Sequence, residues 1–315
     1  MDNLLTLYDR IEVIKQVNKK YDLENNSYIS FSGGKDSTML HYLIDMALPN
    51  NNIPRVFIDT GIEYNDIVTF VNQLSANDNR FITIKPSKPI KQTLEKYDYP
   101  FKSKQHSHNL SIYQHSGMTK SVKKYLGIEE GNNIFKCPQQ LKYQFLSNFK
   151  LKVSELCCTK LKKEPAQKYE QESKRNIAIL GLMQNEGGQR MSHTDCVVYE
   201  DDTKTKIKKF KPLNPISKNF QMWFINEYKI ELCKLYEPPY NMERTGCKGC
   251  PFNLDLQGQL DTMEKLLPNE KKQCEIIWKP VYEEYRRIGY RLKNKDQLTI
   301  DDFIKEWRNN AFFKR

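Results

Sequence analysis

No stretch of this 315-residue sequence approaches the roughly 20 consecutive apolar residues that a membrane-spanning helix needs. The opening run Met1-Asp2-Asn3-Leu4-Leu5-Thr6 lacks both the basic n-region and the long apolar h-region of a secretory signal. The chain therefore reads as cytoplasmic, with no membrane partner. There is no internal repeat and no low-complexity tract. In a cytoplasmic setting the eight cysteines are not a disulfide framework, which leaves some of them as candidate metal ligands.

What is present suits a soluble protein with a core: 38% hydrophobic and 28% charged residues. The length fits one large α/β domain with an appendage, or two domains. The net charge of +11 is compatible with a nucleic-acid partner, with an anionic small substrate, or with a solvated basic surface.

The most informative run is Ser32-Gly33-Gly34-Lys35-Asp36-Ser37. Before it, Ser27–Phe31 has the pattern of a buried strand; after it, Thr38–Ile44 has the apolar spacing of a helix. A strand, a glycine turn and a helix start make a phosphate cradle, because glycine lets backbone N–H groups approach an anion and the helix dipole favours it. Ser32, Ser37 and Lys35 add donors. Asp36 is a carboxylate beside phosphates and calls for a cation, Mg²⁺. The spacing is not that of a Walker loop or a dinucleotide fingerprint.

Further strands are expected at Arg55–Ile58, Phe81–Ile84 and 176–181, with helices over 7–20 and 63–73. Segments 196–199 and 206–210 are expected to form a hairpin around Asp201-Asp202. Alternating strands and helices predict a doubly wound, mostly parallel sheet with ligands at the carboxyl ends of its strands. Asp59-Thr60-Gly61 falls at one such end. Residues 97–150 read as short helices and loops near the site mouth. The predicted division is a nucleotide-binding domain over 1–255 and a helical extension over 256–315, reaching past Trp307. His106 and His108 are a weak metal pair, read as ordinary loop residues.

The hexapeptide resembles the PP-loop, SGGxDS, of the ATP-pyrophosphatase superfamily. Together with Asp59-Thr60-Gly61-Ile62-Glu63 it resembles the phosphoadenosine-phosphosulfate (PAPS) reductase branch. Tyr99-Pro100 followed by Ser103-Lys104, Cys157-Cys158 within a stretch ending at Pro165, Lys211-Pro212-Leu213 ahead of Trp223, and Arg244-x-Gly246-Cys247-x-x-Cys250-Pro251-Phe252 are similar to further segments of that branch. The likeness covers residues 25 to 255. It implies an adenine nucleotide α-hydrolase-like fold and an adenine nucleotide, ATP or PAPS, as substrate. It implies Ser32, Gly33, Gly34, Lys35, Asp36, Ser37, Asp59, Thr60, Gly61, Gly181, Glu186 and Arg190 as nucleotide-binding residues, with Lys35, Asp36 and Arg190 in catalysis.

Two departures bear on the reaction. Met183 stands where the family commonly has arginine, and Gly187 where it has serine, so an anion contact is either lost or supplied from elsewhere, with Lys160, Lys162 and Lys163 as candidates. PAPS reductases attack with a cysteine near the C-terminus, whereas residues 275–315 contain none, and Cys274 lies in an expected helix.

Cys157, Cys158, Cys247 and Cys250 form two doublets. Adjacent cysteines chelate a tetrahedral zinc ion awkwardly, and the iron–sulfur members of the family use this CC…CxxC arrangement for a 4Fe–4S cluster. The cluster is the first expectation, structural zinc the second, and buried free thiols the third. Cys137, Cys196, Cys233 and Cys274 read as small core residues. The combination also resembles the ATP-pyrophosphatase component of DNA phosphorothioation and sulfur-inserting tRNA enzymes, which implies ATP cleavage to AMP and pyrophosphate, a sulfur donor protein and a nucleic-acid acceptor. The alternative reading is a non-catalytic nucleotide- or nucleic-acid-binding module of a phage or defence assembly.

Overall fold

The computed structural model describes residues 3–129, 136–184, 195–200 and 202–293. In chain order the elements are α1 (Asn3–Tyr21), α2 (Leu23–Asn26), β1 (Ser27–Phe31), α3 (Lys35–Ala47), β2 (Arg55–Ile58), α4 (Asn65–Asn77), β3 (Phe81–Ile84), α5 (Ile90–Tyr97), α6 (Lys104–Ser116), α7 (Lys120–Leu126), α8 (Glu164–Ser173), β4 (Ile177–Ile179), β5 (Val197–Tyr199), β6 (Ile207–Phe210), α9 (Lys218–Glu227), α10 (Leu256–Leu266), α11 (Pro268–Ile277) and α12 (Lys279–Arg287). The chain divides into two compact units, each discontinuous in sequence: 1–90 with 159–247, and 91–158 with 248–315.

The first unit holds a six-stranded sheet in the order β3-β2-β1-β4-β6-β5. Every pairing is parallel except β5 with β6 at the edge, which is the expected hairpin. After β1 the chain winds outward through β2 and β3, and then returns to add β4 on the other side of β1. The gap between the ends of β1 and β4 is therefore a topological switch point, where open α/β sheets bind ligands.

Both faces of the sheet are covered, which is why its central strands read as nearly continuous apolar runs. Ile29 and Ile179 pack against Met39, Leu40 and Leu43 of α3, Leu7 and Ile14 of α1, and Phe220 and Phe224 of α9. Tyr28, Val56 and Ala178 point to the opposite face and meet Tyr169 of α8. Behind α3, Arg55 is fully buried and donates to His41 Nδ1 at 3.0 Å and to Asp45 at 2.5 Å. Burial, and then the Arg55 charge, lower the His41 pKa to about 4, so the ring is a neutral acceptor.

The second unit has its own core, in which Phe101, Leu110, Tyr125, Leu141 and Phe145 are buried, as are Trp278, Val281, Tyr282 and Tyr285. Segment 97–150 is more regular than expected: α6 runs for 13 residues, capped at its start by the Ser103 hydroxyl. His106 and His108 therefore lie on a helix, not in a loop, and two residues apart they point in different directions. His106 is fully buried between Tyr125 (2.9 Å) and Gln144 (2.7 Å), whereas His108 pairs with Glu155 at the surface. The segment and the helices α10–α12, expected to belong to different parts of the chain, fall in the same unit. The helix expected over 63–73 starts instead at Asn65 and runs to Asn77. Trp307 lies outside the described residues.

Candidate functional site: a glycine turn and an adjoining slot

The glycine turn is built by its own serines. Ser37 Oγ accepts from the Ser32 amide at 3.2 Å, lies 3.1 Å from Ser32 Oγ, and donates to the Gly34 carbonyl at 3.0 Å. Gly33 has φ +70°, in the left-handed region, and a Cβ there would fall 2.8 Å from Ile67 Cγ2 of α4. Gly34 is the N-cap of α3 and supplies no side-chain cap. The first amides of α3 thus have no intrahelical acceptor, and together with the helix dipole they present a donor array suited to an anion.

The end of β4 closes against this turn. A Cβ on Gly181 would lie 2.9 Å from the Asp36 carbonyl oxygen and 3.2 Å from the Ser37 amide, both backbone atoms that cannot rotate away. Glycine at 181 is therefore a requirement of close backbone approach. Met183, where arginine is common in the PAPS reductase branch, is buried in the core.

Three residues that the sequence motifs did not single out complete the cradle. Gln221, buried on α9, donates from Nε2 to Asp36 Oδ1 at 2.7 Å. Tyr236 lies with its ring 4.8 Å from Lys35 Nζ, and its hydroxyl pairs with Thr245 Oγ1. Burial raises the Tyr236 pKa, so the phenol stays protonated. No local pattern marks these contacts. Thr245 alone carried a signal, as the variable position of the Arg244-x-Gly246 segment.

At the end of β2, Asp59 Oδ1 accepts from the Gly61 amide at 3.1 Å, and Gly61 has φ +80°. Glu63 accepts from both the amide and the hydroxyl of Thr60 at 2.8 and 2.9 Å, and Lys162 Nζ lies 3.5 Å from Glu63 Oε1. In this state Asp59 and Thr60 hold the turn itself. Lys160 is ion-paired to Glu164. Glu186 and Arg190 lie outside the described residues.

Beside the turn is a slot of about 480 Å³, lined wholly by the first unit. Ser32, Thr245 and Gly246 border it at the turn, and Phe57, Ile58, Ala178 and Leu180 supply apolar wall. Lys162, Lys163, Lys208 and Lys209 ring it with positive charge. An apolar slot joined to an anion cradle has the form of a nucleotide site.

None of the eight cysteines is in a disulfide. Cys157 and Cys158 end one segment of the second unit, Cys247 ends the first unit, and Cys250 belongs to the second. Among the described residues no group of three or more His, Cys, Asp or Glu side chains is placed to hold a metal ion. Asp36 does suit Mg²⁺: one oxygen is held by Gln221 and the other accepts no hydrogen bond from the described residues, and Mg²⁺ in phosphate sites commonly takes one or two carboxylates.

The chain is thus a mostly parallel α/β protein with a strand–glycine turn–helix junction at the switch point of its sheet, a geometry suited to a phosphate. Residues 26–131 match the family model described as the phosphoadenosine phosphosulfate reductase domain, the branch implied by the motifs. An uncharacterized protein from Methanocaldococcus jannaschii is 31% identical over 103 residues, 30% of this chain and 25% of that protein. The match therefore spans about a quarter of that relative. Among solved structures, phosphoadenylyl-sulfate reductase from Candida auris in a phosphate complex is 15% identical, with 76% of this chain and 87% of that chain covered and a TM-score of 0.46. A U34-tRNA thiolase from Methanococcus maripaludis with its 4Fe–4S cluster is also 15% identical, with 89% and 79% covered and a TM-score of 0.34.

Proposed function

We propose that the protein is an enzyme that cleaves an adenine nucleotide at its α-phosphate, converting ATP to AMP and pyrophosphate, and so activates a substrate for sulfur transfer. The observation that carries this reading is the uncapped start of α3 behind Ser32–Ser37, opening beside a slot sized for a nucleoside. The departing pyrophosphate rests on the turn amides. Lys35 leaves the Tyr236 ring to meet it, and Asp36, oriented by Gln221, would hold an Mg²⁺ ion, which would supply charge neutralisation there. In the activating step an oxygen of the acceptor forms a bond to the α-phosphorus as the bond to the bridging oxygen breaks, its proton passes to solvent, and AMP leaves when sulfur displaces it; with water in place of the acceptor the products are AMP and pyrophosphate directly. The electron pair leaves with pyrophosphate. Arg190 and Glu186 are assigned to the same nucleotide by the motif resemblance, as are Asp59, Thr60 and Gly181.

Thiol-based reduction of PAPS needs an accessible thiolate. Cys274, the last cysteine in the sequence, is buried on α11, and burial pushes its pKa up to about 12. This favours the ATP reaction. A 4Fe–4S cluster on Cys157, Cys158, Cys247 and Cys250 belongs to this reading through the pairing of the doublets, as do a sulfur donor protein and a nucleic-acid acceptor; no reaction step is assigned to the cluster. The test is pyrophosphate release from ATP beside sulfite release from PAPS with a thiol donor, on anaerobically purified protein analysed for iron and sulfide. Sulfite release abolished by Cys274→Ser, without pyrophosphate release, would restore the reductase reading. Zinc in place of iron and sulfide would overturn the cluster alone.

A further inference from the structure

One polar pair in the slot has no part in holding phosphate. Tyr28 and Ser30 alternate onto the same face of β1, and both line the slot, as does Ser32 just past the strand's end. At about 3.3 Å per residue the slot runs about 13 Å along the strand from the glycine turn. At its far end the Tyr28 hydroxyl donates to Glu170 Oε1 at 2.8 Å. Tyr28 is only 3% exposed, and its ring is set edge-on against Tyr169, with centroids 5.4 Å apart. Burial, and then the hydrogen bond to Glu170, raise the phenol pKa, so the hydroxyl remains a donor.

Glu170 reaches the slot from α8. Lys163, Ala166, Gln167 and Glu170 all line it, the stripe that a helix presents to one neighbour. With Oε1 occupied by Tyr28, Glu170 Oε2 accepts no hydrogen bond from the described residues. The far end of the slot, past the apolar wall of Phe57, Ile58, Ala178 and Leu180, thus offers a fixed acceptor about one nucleotide's length from the phosphate cradle.

We propose that Glu170, held in place by Tyr28, selects the base of the nucleotide by accepting a hydrogen bond from the exocyclic amine of a 6-aminopurine and rejecting a 6-oxopurine. The inference rests on the nucleotide reading of this slot given above. A carboxylate can only accept. An amino group at C6 satisfies it, whereas a carbonyl there sets two acceptors against each other and leaves both unpaired, a cost of about 10- to 100-fold in affinity. Ala178 and Leu180 supply the flat apolar wall that a ring requires.

The test is binding of ATP, ITP and inorganic pyrophosphate to the full chain, without turnover. Wild type should bind ATP about 10- to 100-fold more tightly than ITP. In Glu170→Gln the Tyr28 hydroxyl still has an oxygen to bond, so the amide nitrogen faces the slot and donates to a 6-oxo group; the preference for ATP should vanish or reverse. Tyr28→Phe releases Glu170 and should reduce the preference while leaving pyrophosphate binding unchanged. Equal binding of ATP and ITP by wild type, or an ATP preference that survives Glu170→Gln, overturns the base assignment and leaves the nucleotide reading intact. Failure of wild type to bind ATP, ITP and pyrophosphate alike overturns both.

Discussion

The Ser32–Ser37 turn and the Cys247–Cys250 loop are both short glycine-containing segments, yet their backbones are treated in opposite ways. At the turn, α3 starts on an uncapped glycine and its first amides await an acceptor. In the second unit the loop carbonyls are already taken. Trp278 Nε1 donates to the Lys248 carbonyl, the Tyr282 hydroxyl to Gly249, and the Tyr285 hydroxyl and Arg291 to Pro251. Residues 278, 282 and 285 share one helical face, so α12 and the residue before it form a row of donors matched to the carbonyls of Lys248, Gly249 and Pro251. The Asn253 amide takes the Cys250 carbonyl. The turn keeps backbone donors open to an anion, whereas the loop's backbone acceptors are already paired.

The sharpest way to break this comparison is at the open end. Asp36→Ala should lower Mg²⁺-dependent turnover by about 10²- to 10³-fold, the scale of removing one preorganised electrostatic contact, with little change in the thermal midpoint; a steady-state assay of pyrophosphate release reads it. Retained turnover would mean that the turn is only a structural cap.

At the closed end the effect should be on stability alone. Gly249 has φ +61°, and a Cβ there would lie 2.7 Å from Cys274 Sγ. Gly249→Ala should cost about 3 kcal/mol or more through left-handed strain and overpacking. Denaturant unfolding should show this loss, while pyrophosphate binding to folded protein stays as in wild type.

Each unit also buries one neutral histidine, His41 in the first and His106 in the second, both with pKa lowered to about 4, chiefly by burial. The unfolded value is about 6.5, so between these limits the unfolded chain binds more protons. Stability is therefore present above pH 6.5 and is lost as pH falls toward 4, by up to about 3 kcal/mol for each ring. His106→Gln should flatten the pH dependence measured by chemical denaturation across this window. An unchanged slope would show that His106 is not buried in its neutral form.

The smallest effect is expected two residues away. His108 is exposed and its pair with Glu155 is a surface one, so His108→Ala should change stability by less than about 1 kcal/mol. A large loss would contradict the helical placement that separates the two rings.

Much of the first unit was legible residue by residue. β1, β2 and β3 occupy the expected spans Ser27–Phe31, Arg55–Ile58 and Phe81–Ile84, because strands covered on both faces must be apolar along their length. The glycine turn was legible for a related reason: backbone that approaches an anion tolerates few side chains, so Ser32–Ser37 has little chemical latitude. Segment 97–150 was harder to read, since α6 carries polar His106, Ser107 and Asn109 inside its buried face, which hides the period of a helix.

The order of strands along the chain, the turn at their ends and the charge of the slot's rim were written into the sequence, because each follows from local period, local geometry or composition. Only the tertiary structure decided that Gln221 holds Asp36 across 185 residues, that Tyr28 and Glu170 meet across 142, and that Trp278, Tyr282 and Tyr285 close the carbonyls of Lys248, Gly249 and Pro251. Each of these pairs satisfies a polar group that packing has removed from water. Its partner is whichever donor or acceptor the fold brings within about 3 Å, and no spacing in the chain encodes that distance.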